Sequence, residues 1–187
     1  MRTFLLAGVA LAVATAAVPP KASAAAWTVD SSKSVLGFSG TQSGTAFDGR
    51  FTKWQADIDF DPANPGIGHA RVVIDVASAQ TGDPQKDQSL PQGDWFNVKS
   101  FPQAVFEASS FRAKGGNAFE AIGTLTIRGI KKDVVLPFTF DGTGNSGHAK
   151  GKLDLLRTDY GVGQGEWSSG QMVGLSVAVT IDIQATR

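Results

Sequence analysis

The sequence predicts an all-β protein, a single antiparallel barrel of about eight strands with one irregular excursion. Two observations carry this. Val173 to Ile183 reads Val-Gly-Leu-Ser-Val-Ala-Val-Thr-Ile-Asp-Ile. It is large and apolar at every odd position and small or polar at every even one, the period-two signature of a strand with one buried face. The pattern recurs: Trp54, Ala56, Ile58 and Phe60 alternate with Gln55, Asp57, Asp59 and Asp61, and Val134, Leu136, Phe138 and Phe140 with Val135, Pro137, Thr139 and Asp141. Glycine-rich punctuation is the second: Gly115-Gly116-Asn117, Gly129 and Asp141-Gly142-Thr143-Gly144-Asn145 supply the positive φ and local hydrogen bonds of hairpin turns.

Residues 1–24 read as a cleaved secretory signal peptide rather than as fold. Arg2 gives a positive start, Phe4 to Val18 is an apolar run, Pro19-Pro20 breaks it, and Ala22-Ser23-Ala24 fits the small-x-small cleavage rule. Cleavage after Ala26 is the near alternative. The run is short of the ~20 apolar residues that span a bilayer, and the expected address is the periplasm. Residues 25–187 then form one domain.

Strands are expected at Val35–Thr41, Ala46–Phe51, Lys53–Asp61, Gly68–Val76, Ala104–Ser109, Phe119–Arg128, Lys132–Phe140, Ala149–Leu156 and Gln171–Ala185. The excursion is residues 78–101. Thr81 to Asp87 is polar and turn-rich, whereas Leu90, Trp95, Phe96 and Phe101 bring apolar bulk. One or two short helical turns there would lay Leu90, Trp95 and Phe96 over one end of the sheet. Closure into a barrel removes exposed edges, and eight strands enclose either side chains or one small ligand. A two-sheet sandwich, with the same faces in a solid core, is the alternative.

Composition narrows the function. Loss of residues 1–24 removes Arg2 and Lys21 and no acid, leaving 15 basic against 17 acidic side chains, a net charge of −2. No basic footprint for nucleic acid or an anionic membrane surface results. With no cysteine, stability rests on packing without disulfides or thiol chemistry. The two histidines, His69 and His148, form no metal-ligand spacing. No Gly-x-Ser-x-Gly elbow is present, and Gly161-Val162-Gly163-Gln164-Gly165 lacks the Gly-Lys-Ser/Thr ending of a phosphate loop. Asp57, Asp59 and Asp61 read as a solvated strand face rather than a carboxylate pair. The chain is expected not to be an enzyme and to need neither metal nor cofactor.

Three motifs carry a family likeness. Thr81-Gly82, Lys86-Asp87, Leu90, Asp94-Trp95-Phe96-Asn97-Val98 and Phe101-Pro102-Gln103-Ala104-Val105-Phe106 form the first. Gly123 to Lys132 and Arg157-Thr158-Asp159-Tyr160-Gly161-Val162-Gly163 are the others. In this order they resemble the YceI-like family of exported, lipocalin-like proteins, and the likeness runs from Trp27 to near Arg187. It implies an eight-stranded barrel that holds a long isoprenoid chain, a polyprenyl lipid or a quinone tail, as bound ligand. It further implies the company of a membrane cytochrome as a possible partner; a homodimer is left open. The chain departs from many members at Lys33 and near Gln42, where they carry histidines.

With that ligand in view, one apolar face from each clear strand supplies the candidate lining: Trp54, Ile58, Val72, Ile74, Phe106, Leu125, Ile127, Leu136, Phe138 and Leu153. The period-two pattern alone leaves open whether that face surrounds a void or a solid core. Asp87, Arg157, Asp159 and Tyr160 match family motif positions, and with Trp167 they are the candidates for a mouth or head-group site. The competing reading of Arg157 is a buried Arg–Asp pair that ties the turn to a loop. The expected function is a periplasmic isoprenoid carrier. The alternative is a packed barrel serving as a stress or electron-transport accessory.

Overall fold

The computed structural model describes residues 26–187, so the signal-peptide reading of residues 1–24 lies outside the described residues. It contains strands β1 (Ala26–Val29), β2 (Val35–Gln42), β3 (Thr45–Phe51), β4 (Trp54–Asp59), β5 (His69–Asp75), β6 (Ala79–Gln80), β7 (Gln103–Gly115), β8 (Ala118–Ile127), β9 (Ile130–Thr143), β10 (Ser146–Leu156) and β11 (Ser176–Thr186). One short helix, α1 (Pro84–Ser89), falls in the expected excursion.

These pieces close into an antiparallel barrel of eight staves. β1 and β2 both lie along β11, so together they make one broken stave; β4 pairs with β1 and β3 with β2, making a second. β5 pairs with β4 and β6 with β3, making a third. β7 to β11 complete the circuit, and the β1–β11 pairing closes it. The breaks in the second and third staves are bonded together. Ser78, buried, donates its hydroxyl to the Asp75 carbonyl at 2.7 Å and accepts the Lys53 N–H at 3.0 Å, so neither kink leaves its backbone unpaired.

Turn chemistry follows the sequence. Ser43-Gly44 and Arg128-Gly129 both hold positive φ at two successive residues, as tight hairpins of matching twist require. At Gly123 the β7 and β8 backbones come so close that a Cβ would lie 2.6 Å from Ala108 Cα, beside a register shift in the ladder. In the excursion, Asp83 caps α1 by accepting the N–H groups of Gln85 and Lys86, and Pro84 sits at the first turn, where no N–H is needed.

The inward faces divide into three packed groups. At one end Phe60, almost wholly buried, is ringed by Phe111, Phe119, Phe138 and Phe140 at centroid distances of 4.9, 5.1, 5.7 and 5.1 Å. Trp27 joins them and donates its indole N–H to the Phe60 carbonyl at 2.8 Å. The opposite end is covered by the excursion and the turn after β10. There Phe96 and Val98 pack on Leu36, Ile74, Val76 and Ala104, while Trp95, Tyr160 and Val162 pack on Leu125.

Candidate functional site

Between the aromatic plug and the loop cap lies a cavity of about 150 Å³. Its wall takes one residue in two from nearly every stave, because alternate side chains of a barrel strand point inward. β4 gives Trp54, Ala56 and Ile58, and β5 gives Ala70, Val72 and Ile74; β11 gives Val179, Ile181, Ile183 and Ala185. Every side chain in the wall is apolar and none titrates in water. A cavity of this size walled by aliphatic and aromatic groups stays dry and takes hydrocarbon ligands. It holds no group that could transfer a proton or attack a bond, so the chemistry it offers is solvent exclusion.

Of the residues singled out from the sequence, Trp54, Ile58, Val72, Ile74, Phe106, Leu125, Leu136, Phe138 and Leu153 all stand in this wall. Ile127 does not. It lies at the end of β8, half-buried, and packs on the groups beneath the loop cap. The sequence reading put Ala56 and Phe60 on the apolar face of their strand but not in the lining, and it missed Trp27 and the small residues Ala70, Ala121, Gly147 and Ala149, which make the room. Their signal was available in the same alternation: small residues at inward positions of long strands.

The candidate mouth residues do not converge on one site. Arg157 is buried and pairs with no aspartate. Its Nε donates to the Gly174 carbonyl at 2.9 Å, Nη1 to those of Val162 at 2.8 Å and Gly163 at 3.1 Å, and Nη2 to those of Val173 at 2.7 Å and Trp167. An arginine has five N–H donors, and all five are used. Burial lowers its pKa. Asp87 accepts both the N–H and the hydroxyl of Thr81 at 2.7 Å, which fastens the start of the excursion. Asp159 is exposed and faces Lys132 at 3.3 Å. Tyr160 is buried against Leu125 and Val162, and that burial, with the Asp159 charge adding to it, raises its hydroxyl pKa.

Trp167 lies apart from the barrel cavity. With Trp95, whose ring centre is 5.6 Å away, it walls a second cavity of about 150 Å³. This one is bounded by α1 and the β2–β3 hairpin through Asp83, Lys86, Gln42 and Phe47, and it shares no wall residue with the first. The histidines sit on outer faces, His69 3.4 Å from Asp59 and His148 2.6 Å from Asp182.

Residues 27–185 match the family described as YceI-like domain. The chain belongs to the YceI-like family. Among curated relatives it is 37% identical over 97 residues to an UPF0312 protein of Yersinia pestis (strain Pestoides F), a match that takes 52% of this chain. The chain spans about half the length of these first relatives, 50%. It is 31% identical over 137 residues to an UPF0312 protein of Pseudomonas paraeruginosa, 70% of this chain and 71% of that one.

Among solved structures, Burkholderia cenocepacia BcnA superposes with a TM-score of 0.82 at 34% identity, over 85% of this chain and 100% of that chain. The Campylobacter jejuni YceI protein gives a TM-score of 0.66 at 25% identity, over 74% and 84%. A polyisoprenoid binding domain from Saccharophagus degradans, implicated in plant cell wall breakdown, gives 0.67 at 14% identity, over 86% and 97%, which shows a shared fold. The YceI-like barrel read from the three motifs is therefore the observed one.

Proposed function

We propose that this YceI-like chain is a periplasmic carrier or reservoir for a long-chain isoprenoid lipid, a polyprenyl lipid or a quinone by its tail, and that it performs no covalent chemistry. The observation that carries the reading is the uniformly apolar cavity, bordered at one end by the packed phenylalanine rings. A barrel packed solid, as the accessory-protein alternative requires, would leave no such volume. The shared fold of the Saccharophagus domain, itself described as polyisoprenoid binding, agrees with a lipid as occupant.

The size of the cavity sets the energetics. A dry apolar cavity of about 150 Å³ takes a ligand the size of benzene, so the space admits roughly six methylene-sized groups. At ~0.8 kcal/mol each these supply roughly 5 kcal/mol before the costs of ordering are met. Micromolar affinity corresponds to about 8 kcal/mol net, so a chain confined to this space binds more weakly than that. A longer isoprenoid reaches tighter binding only by displacing packed side chains around the cavity.

The test is extraction of the protein, purified from its native compartment without detergent, followed by mass spectrometry of the extract. A stoichiometric isoprenoid is expected. An empty extract, together with failure to take up added farnesol, overturns the reading.

A further inference from the structure

The barrel wall parts halfway along the junction of β9 and β10. β9 is laddered to β8 down to Ile127↔Ile130, and β10 to β11 up to Leu156↔Ser176. With each other, the two strands pair only from Ser146↔Thr143 to Gly151↔Phe138. Beyond Gly151↔Phe138, residues 130–137 have no registered partner among 152–156. The cause lies where the ladder stops. At Gly151 the strands are still so close that a Cβ would lie 2.7 Å from the Pro137 carbonyl oxygen. Pro137, the next β9 residue, brings no N–H to a continued ladder.

Side chains fill the gap. Val134 of β9 and Leu153 and Leu155 of β10 pack against the cluster that Tyr160, in the turn that follows β10, forms with Leu125 and Val162. On the outer surface Val135 and Leu156 are exposed, at 43% and 50%, although both are large and apolar. On the inner surface Leu136 and Leu153 belong to the cavity wall. An apolar path thus crosses the barrel wall. Its upper end is latched by the Lys132–Asp159 pair at 3.3 Å, which is open to solvent on both sides.

The barrel ends are held differently. One is plugged by the ring of phenylalanines around Phe60. The other is capped by loops whose carbonyls engage every donor of Arg157. Entering there means dismantling a buried hydrogen-bonded network, which is costly. Widening the β9–β10 gap beyond Gly151 sacrifices no registered strand pair. It breaks one exposed ion pair, which is worth little in water, and apolar contacts that an incoming hydrocarbon replaces with its own.

We propose that the gap between β9 and β10 is the lateral portal through which an isoprenoid chain slides into the barrel, with Tyr160 as its plug and Lys132–Asp159 as its latch. This rests on the carrier reading above. The competing route runs through the second cavity, between α1 and the β2–β3 hairpin.

The absence of native cysteine makes the test clean. Lys132→Cys with Asp159→Cys carries the only two thiols, and a bifunctional maleimide whose spacer replaces the lysine stem bridges them. Farnesol uptake is followed by stopped-flow tryptophan fluorescence, with Trp54 in the cavity wall as a reporter. The unbridged variant, its latch removed, is expected to load at least as fast as wild type, which also shows that it folds, and the bridged one at least about tenfold more slowly than the unbridged one. A matching bridge between Phe47→Cys and Lys86→Cys, across the second cavity, should leave the rate unchanged. Equal rates with and without the Lys132–Asp159 bridge overturn the portal while leaving the carrier reading intact, as does slowing by the Phe47–Lys86 bridge alone. Wild-type protein that takes up no farnesol at equilibrium overturns the carrier reading, and the portal with it.

Discussion

Gly163 and Arg157 share one space. A Cβ on Gly163 would fall on Nη1 of the guanidinium, and Gly163 also holds a φ of +78° that side chains resist. Because it is bare, the guanidinium reaches the carbonyls of Val162 and Gly163 and lies 5.6 Å from the Trp95 ring centre. The Arg-x-Asp-aromatic-Gly-x-Gly turn is therefore a frame for the arginine, and the arginine is a frame for the loop cap.

Replacing Arg157 with Met removes the donors from five carbonyls at once. Urea unfolding should show a loss of roughly 3 kcal/mol, because each buried acceptor left without a partner costs about 1–3 kcal/mol and water recovers part of that. Farnesol affinity of the folded protein should stay near wild type. Undiminished stability with lost affinity would instead put Arg157 at a ligand head group.

Phe60 at the plugged end makes a second prediction. It touches four other phenylalanine rings and is 3% exposed. Phe60→Ala should cost about 3–5 kcal/mol, the usual loss for a buried ring whose cavity cannot collapse. A urea midpoint within error of wild type would mean that the plug is not the mechanical floor of the barrel.

Much of this was legible in the alternation of the strands. Trp54, Ile58, Val72, Leu136 and Phe138 were placed on one inward surface because a period of two leaves a strand no other way to bury them. Ile127 obeys the same alternation, yet it misses the cavity because β8 ends there and its inward direction opens onto the loop cap. The β1 strand was not visible, since Ala26–Val29 is too short to display a period and is held by β4 and β11 rather than by its own pattern. Arg157 was seen as important but given an aspartate it does not have. Carbonyl acceptors have no side-chain signature, so a cation satisfied by backbone alone reads as unpaired. The parting of β9 from β10 was equally hidden, although Pro137 stood in plain view within an apparently regular strand.

Tyr160 is the only tyrosine in the chain, so the absorbance of phenolate reports it alone. Burial first, then the Asp159 charge, holds its pKa above the ordinary value of 10.0. The folded state therefore keeps the proton that the unfolded chain releases near pH ~10, and over that interval stability falls as pH rises. Below about pH 9 the contribution is complete and flat. The urea midpoint should decline as the pH rises above about 10, and Tyr160→Phe should flatten that decline. A phenolate titration centred at or below the ordinary value would show that Tyr160 is not held in the packed cluster with Leu125 and Val162.

Ala149 offers a way to separate cavity from fold. It lies on β10 opposite Phe140 and Ile183, half-buried, with its methyl group in the cavity wall. Ala149→Phe projects a ring into empty space rather than into packed neighbours. The usual overpacking penalty of about 1–3 kcal/mol should therefore be offset in large part by the newly buried ring. The thermal midpoint should stay within about 4 °C of wild type, the shift that ~1 kcal/mol produces in a domain of this size. The ring consumes much of the space for a hydrocarbon, so farnesol affinity should drop by about tenfold or more, equivalent to ~1.4 kcal/mol or about two lost methylene contacts. Isothermal titration of both proteins decides it. Equal affinities would mean that the isoprenoid does not lie in this cavity, whatever else the barrel binds.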